Sequence, residues 1–192
     1  MNDPKPLHQF FIAALLFALM IATRFHHFGS ALHLPDASWA VFLAGGFYLV
    51  GSRFLVVFLA LAGVIDWVAI TGFGVSAYCV TPGYALLIPA YAALWYGGRW
   101  FRGRFRYHWS VLPLLAATVV ASVAVCFVIS NLGFMLGSEQ FRAMSVWGYF
   151  RQVAGYFPGF LYSTAGYVAF FALIHGIFHA LTGSRELEAH SA

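Results

Sequence analysis

The chain has very little charge. Only 8% of its 192 residues are charged, and six of them are acids, whereas soluble domains carry about 25% charged residues. Hydrophobic residues make up 62% of the sequence. So few polar groups cannot cover a water-facing surface, which excludes a soluble globular protein and predicts an integral membrane protein. The net charge of +4 then reports membrane orientation and not a nucleic-acid partner.

Two kinds of motif are also missing. The sequence contains no Gly-x-x-x-x-Gly-Lys-Ser/Thr run, so any ATP-driven step would need other subunits. It has two cysteines and no Cys-x-x-Cys pair, so a structural zinc site is not expected. Function must therefore lie with isolated polar residues among apolar helices.

Six apolar segments approach the roughly 20 residues that a helix needs to cross a bilayer. Asp36 is suited to cap the second segment, and Thr81 followed by Pro82 suits the start of the fourth. The sequence therefore predicts an all-α membrane protein, a single domain built as a six-transmembrane-helix bundle. The predicted spans are Leu7–Thr23, Ala37–Gly51, Phe54–Thr71, Thr81–Tyr96, Ser110–Asn131 and Phe157–Leu181.

The distribution of cations predicts the orientation. With the N-terminus inside, seven of the ten Lys and Arg residues fall in inside segments, so both termini are expected in the cytoplasm. The connection between the last two spans lies outside, where Ser138 resembles a helix start and predicts an interfacial segment at about 138–152. The inside cations are Lys5, Arg53, Arg99, Arg102, Arg104, Arg106 and Arg185.

Polar residues collect on the predicted outer side. Asp66 lies roughly 20 Å along the third span from its inner end, and an acid within a membrane costs on the order of 2.5–3.5 kcal/mol. That cost predicts a partner, and both a hydrogen bond to a neighbouring helix and a ligand contact remain open. His26, His27 and Arg151 fall on the same side, where they would contact either a ligand or the lipid headgroups.

Cys79 precedes the fourth span in a loop without charges. The amino end of a helix carries a partial positive charge that favours thiolate over thiol, and a thiolate is a soft ligand for a transition metal. Two other readings stay open, an inert small residue and a disulfide to Cys126.

Two further functions have weaker support. Gly74-Val75-Ser76-Ala77 and a histidine on the last span resemble rhomboid intramembrane serine proteases, although Ala77 stands where that family has glycine. His175 and His179 share one helix face, a spacing that could bind a metal ion, but the span supplies no acidic partner. A haem-binding protein is the related alternative, and it would need paired histidines at matching depth on two spans, which the sequence does not identify.

Four short stretches, together with the chain length and the six spans, form a more specific pattern. The most distinctive is Tyr78-Cys79-Val80-Thr81-Pro82-Gly83-Tyr84. The others are Thr23-Arg24-Phe25-His26-His27, Pro35-Asp36-Ala37-Ser38 and Gly63-Val64-Ile65-Asp66-Trp67. In these residues the chain resembles the BtuM family, solitary cobalamin (vitamin B12) transporters related to the S-components of energy-coupling-factor transporters.

The resemblance implies a cargo and a site. The cargo is cobalamin, taken up from the outer side of the bacterial inner membrane. Cys79 matches the family's axial ligand to the corrin cobalt, where a thiolate could also displace cyanide by ligand exchange. His27, Asp66, Tyr84 and Arg151 match residues that line the cobalamin pocket.

The resemblance also implies a protein partner. S-components use small residues of the first span to meet a membrane-embedded coupling subunit, and Ala14, Ala18 and Ala22 have that spacing. The same spacing is common in membrane helices generally, so it is compatible with a coupling module or with none.

Overall fold

The computed structural model describes residues 6–24, 34–77 and 80–191, with side chains described up to residue 181. Two predicted site residues, His27 and Cys79, lie outside the described residues. All regular structure in the described part is helical. Seven α-helices follow one another: α1 Pro6–Arg24, α2 Ser38–Tyr48, α3 Arg53–Phe73, α4 Leu87–Arg102, α5 Val111–Gly137, α6 Val146–Val153 and α7 Phe157–Ser191.

Within residues 6–24, 34–77 and 80–191, four helical stretches are long and apolar enough to cross a membrane. They are α1, α3, α5 and the stretch Val146–Leu181, which contains α6 and most of α7. Large apolar side chains such as Leu15 and Trp67 point outward from them, as lipid-facing residues do. The predicted fold class, an all-α membrane bundle, is therefore confirmed.

The short helix α2 forms the centre of the bundle. It has 11 residues, and all but the last are buried by the helices around it. Its backbone touches α4 directly: a Cβ added at Gly46 would overlap the Trp95 carbonyl, and one added at Gly98 would overlap the Leu43 carbonyl. This contact fixes the start of α2 beside the start of α4.

Asp36 bonds to the start of α2 from the residue before the N-cap Ala37, and Thr81 with Pro82 starts a 3₁₀ helix before α4. Asp36 Oδ1 accepts hydrogen bonds from the Ser38 amide at 2.8 Å and from the Ser38 hydroxyl at 2.6 Å. Thr81 is the N-cap of the 3₁₀ helix Pro82–Leu86, and proline is the first residue of that helix as predicted, but the Thr81 hydroxyl makes no cap hydrogen bond. The Thr81 Oγ1 atom is buried without a partner, facing α5 near Gly137.

The 3₁₀ helix packs against α5 at a very close distance. A Cβ added at Gly83 would overlap the Gly133 carbonyl, so only glycine fits at this crossing. Because Tyr84 follows directly, the contact with α5 also sets the position of the Tyr84 side chain.

The expected helix start at Ser138 is wrong. Turns follow Ser138, and α6 begins later, where Ser145 Oγ accepts a hydrogen bond from the Gly148 amide at 3.1 Å. This is the usual capping bond of a serine at a helix start.

Candidate functional site

A cavity of about 640 Å³ opens at one end of the bundle. At this end, called the cavity end below, α1 and α3 finish while α2 and α4 begin. Polar residues lie together on its wall, and apolar and aromatic residues complete it. The residues lining it are Thr23, Arg24, Leu34, Pro35, Asp36, Trp39, Asp66, Ala69, Ile70, Val75, Ser76, Val80, Tyr84, Leu87, Tyr91, Ser130 and Phe160.

An ion pair between Arg24 and Asp66 forms the centre of the polar wall. Arg24 Nε donates to Asp66 Oδ1 at 2.7 Å, and Nη2 donates to Asp66 Oδ2 at 2.6 Å. This parallel two-point contact is the strong form of an arginine–carboxylate pair. The Arg24 side chain is only 8% exposed, while that of Asp66 is 24% exposed and faces the cavity.

The remaining bonds of Arg24 tie it to two other helices. Its Nη1 donates to Ser38 Oγ at 3.0 Å, at the start of α2, and to the Tyr91 hydroxyl at 2.8 Å, on α4. The carboxylate of Asp36 lies 3.9 Å from the same nitrogen and is 48% exposed. One buried guanidinium therefore joins the cavity ends of α1, α2, α3 and α4.

Tyr84 completes the group around Asp66. Its hydroxyl donates to Asp66 Oδ2 at 2.5 Å, so Oδ2 accepts two bonds and Oδ1 accepts one. The structure thus brings together two of the predicted site residues, Asp66 and Tyr84. It also identifies the partner that the buried carboxylate required, a helix-to-helix pair with Arg24.

Aromatic side chains provide the flat part of the wall. Trp39 and Phe160 are stacked with ring centroids 4.5 Å apart and an interplanar angle of 18°. Tyr91 stacks on the fully buried Phe42 at 4.4 Å, which holds its hydroxyl toward Arg24. A second cavity of about 300 Å³ adjoins the first, since Pro35, Asp36, Trp39 and Phe160 line both.

The chain on both sides of Cys79 reaches this cavity. Ser76 lies three residues before the cysteine and Val80 directly follows it, and both line the cavity wall. In the same way, Arg24 and Leu34 line the wall on either side of the segment that contains His27.

Arg151 lies apart from the cavity. It is exposed on α6, and its guanidinium sits over the Trp147 ring, 5.5 Å from the centroid. It is not among the residues that line either cavity. Ala14 and Ala18 are exposed on α1 and Ala22 is half-buried, so the stripe of small residues faces outward along this helix.

The histidines considered for haem or metal binding lie at the opposite end of the bundle. His175 and His179 both stack on Tyr107, which is in the loop after α4, and the Tyr107 hydroxyl donates to the His175 carbonyl at 3.0 Å. Ser76, the serine of the protease reading, is at the cavity end, away from His175. Within the described residues no three His, Cys, Asp or Glu side chains form a metal-binding group.

Cys126 is a core residue. It is a free thiol, fully buried among the apolar side chains of the bundle core on α5. Its side chain packs against core residues, and it does not line the cavity.

Sequence reasoning missed Arg24 and Tyr91. Arg24 was named only within the Thr23-Arg24-Phe25-His26-His27 stretch and was given no role in the site. The signal that could have found it is the presence of one arginine and one aspartate at similar depths in neighbouring spans, since a buried charge needs a partner. Tyr91 gives no comparable signal, because tyrosines are common at membrane interfaces.

No protein-family model matches the chain, and neither does any curated protein.

Proposed function

We propose that the chain is a membrane transporter that binds cobalamin at the cavity end and takes it up across the bacterial inner membrane. One observation carries the proposal. Asp66 and Tyr84, two residues chosen for this role from the sequence, meet on the wall of one cavity, and the chain next to Cys79 reaches the same wall. The sequence resemblance to cobalamin transporters supplies the identity of the cargo.

The chemistry of the cavity suits such a cargo. Cobalamin has flat faces and a rim of amide side chains, so it needs aromatic walls together with hydrogen-bonding groups at an edge. Trp39 and Phe160 supply flat walls, and Asp66 and Asp36 supply acceptors. Cavities of about 300–1,000 Å³ hold drug-sized ligands, so we expect part of this larger molecule to extend beyond the cavity of about 640 Å³.

Cys79 is proposed as the axial ligand of the cobalt in the bound cargo. A thiolate is a softer donor than water or a hydroxyl and binds a late transition-metal ion well. With cyanocobalamin the step is a ligand exchange at Co(III): a cobalt–sulfur bond forms, the cobalt–cyanide bond breaks, and cyanide leaves with the thiol proton as HCN. The oxidation state does not change, so no reductant is needed. The protein remains primarily a transporter.

The proposed topology follows from the charge distribution. Six passes with both termini in the cytoplasm place the cavity end outside, since the Arg-rich loop after α4 is then inside. The exposed face of α1 that carries Ala14 and Ala18 is open to a coupling subunit. Transport with such a module and transport by the chain alone are distinguished by the uptake experiment below.

The test is cobalamin-dependent growth. A bacterial strain that lacks its own inner-membrane cobalamin transporter and its coupling module, and that needs cobalamin for methionine synthesis, should grow on nanomolar cyanocobalamin when it expresses this chain. Growth in that host indicates transport without a coupling module, and growth only after a module is added indicates that one is required. No growth in either host, with the protein present in the membrane, would refute the transport function.

A further inference from the structure

Arg24 and Tyr84, on the described part of the polar wall, use nearly all of their hydrogen-bond donors on the protein itself. The Tyr91 hydroxyl, which accepts from Arg24, keeps its own O–H. Arginine has five N–H groups, and Arg24 uses four of them on Asp66, Ser38 and Tyr91. The Tyr84 hydroxyl donates to Asp66. Arg24 is also the only cation among the described residues that line the cavity, and its side chain is 8% exposed.

Acceptors, in contrast, remain open. Asp66 Oδ1 accepts a single hydrogen bond, from Arg24 Nε, although a carboxylate oxygen has two lone pairs. At Asp36, Oδ1 takes both bonds from Ser38, while Oδ2 lies 3.9 Å from Arg24, beyond hydrogen-bond distance. Nearby, the Ser130 hydroxyl donates to the Phe127 carbonyl, which leaves its oxygen able to accept.

The net charge of the wall also disfavours an anionic ligand. The described lining residues include two carboxylates, Asp36 and Asp66, and one guanidinium, Arg24. The positive charge of Arg24 balances the negative charge of Asp66. The carboxylate of Asp36, which is 48% exposed, leaves an excess of one negative charge. An anionic group placed here would meet like charge where solvent screening is incomplete.

From these contacts we infer that the wall formed by Asp36 and Asp66 is a specificity site that accepts primary amides of the ligand and rejects carboxylates. This inference rests on the proposed function, because it assigns the amide-bearing rim of cobalamin to this wall. An amide N–H₂ can donate to the open oxygens of Asp36 and Asp66. A carboxylate of the same shape has no donor and adds a second negative charge.

The same reasoning orients the cargo. The nucleotide loop of cobalamin carries a phosphodiester, which is anionic at neutral pH and has no donor. It is therefore placed away from Asp36 and Asp66, and the propionamide rim of the corrin faces them. Arg24 cannot turn to the phosphate without giving up bonds to Asp66, Ser38 and Tyr91.

The test compares cyanocobalamin with its three monocarboxylic acids, in each of which one rim propionamide is hydrolysed. Dissociation constants are measured by calorimetry on the full chain in detergent at pH 7.5. At least one acid should bind about tenfold or more weakly than cyanocobalamin, as expected for losing a hydrogen bond to a charged acceptor. In Asp36→Asn, the dissociation constant of that acid divided by that of cyanocobalamin should fall by about threefold or more.

The variants are matched in their chemistry. The asparagine side chain of Asp36→Asn keeps an oxygen that can accept the bonds from Ser38, so the start of α2 is preserved. Glu139→Gln removes one negative charge from an exposed position outside the cavity and should leave the ratio unchanged. The wild-type comparison needs no variant, so equal binding there overturns the inference even if Asp36→Asn does not fold.

Each result has a distinct meaning. Equal binding of all three acids and cyanocobalamin would overturn the inference and leave the proposed function intact. A ratio that Asp36→Asn leaves unchanged, or that Glu139→Gln lowers equally, would also overturn it. If neither cyanocobalamin nor any acid binds the wild-type protein, the proposed function fails and the inference fails with it.

Discussion

Arg24 and Asp66, which are 42 residues apart in the sequence, form a two-point ion pair between α1 and α3. The guanidinium is buried, and the carboxylate is partly open to the cavity. The pair therefore has two roles, since it joins the cavity ends of the helices and holds one carboxylate oxygen toward the space that a ligand would occupy.

Arg24→Lys should destabilise the protein although it keeps the charge. Lysine has no planar fork, so it cannot contact both oxygens of Asp66 while also reaching Ser38 and Tyr91. We expect a loss of about 1.5–3 kcal/mol in the free energy of unfolding, the range for hydrogen bonds to charged groups. Thermal unfolding in detergent measures this as a lower midpoint. Arg142→Lys, at an exposed position, is the control, and an equal shift in both variants would contradict the account.

Asp66→Asn should weaken cobalamin binding by about tenfold or more. The asparagine side chain has one oxygen where Asp66 has two. Its N–H₂ group would therefore face the donor Arg24 Nε in one orientation, and the donors Arg24 Nη2 and Tyr84 hydroxyl in the other. Calorimetry with cyanocobalamin measures the affinity. Normal affinity in the folded fraction would mean that Asp66 serves only to join the helices.

A double variant separates stability from binding. Arg24→Met with Asp66→Leu replaces the pair by apolar side chains, and such a replacement often restores stability that either single change removes. We expect the double variant to unfold at a higher temperature than Arg24→Met alone and yet to bind cyanocobalamin poorly. Recovery of both properties would show that the ligand does not use the Asp66 carboxylate.

The close contact between the 3₁₀ helix and α5 gives a prediction for glycine. Gly83→Ala would place a Cβ on the Gly133 carbonyl, so the 3₁₀ helix must move and carry Tyr84 away from Asp66. Both the unfolding temperature and the cobalamin affinity should fall. Gly72→Ala, on α3 with no atom near the added Cβ, should be neutral or slightly stabilising. Similar effects of the two substitutions would contradict the packing argument.

The sequence predicted the fold class, and the need of Asp66 for a partner, for identifiable physical reasons. Low charge and long apolar runs allow only a membrane bundle, and a buried acid such as Asp66 must have a partner. The identity of that partner could not be predicted, because Arg24 is distant in sequence and resembles any cation at the end of a span. The prediction of a helix start at Ser138 was wrong because Ser145, seven residues later, offers an equally good cap.

The position of α2 also could not be predicted. Its sequence resembles a short span, Ala37–Gly51, and the structure has an 11-residue helix enclosed by its neighbours. The cause is the contact between Gly46 and Trp95, which depends on two helices meeting and leaves no local periodic signal.

The proposed topology predicts which positions a membrane-impermeant thiol reagent can reach in intact cells. Arg142→Cys should be labelled and Arg106→Cys should not, each in a Cys79→Ser, Cys126→Ser background. Both positions are exposed, so access depends on the side of the membrane and not on burial. Labelling at 106 alone would invert the topology and place the cavity end inside the cell.

The central claim is that Cys79 binds the cobalt of a cobalamin held at the cavity end. The most direct measurement is the ultraviolet–visible spectrum of cyanocobalamin bound to the purified protein, together with the cyanide released. The wild-type protein and Cys126→Ser should both shift the corrin bands away from those of free cyanocobalamin and release cyanide. Cys79→Ser, which replaces a soft ligand by a hard one, should leave the free spectrum and slow the release. A Cys79→Ser spectrum identical to that of the wild-type complex would contradict the claim.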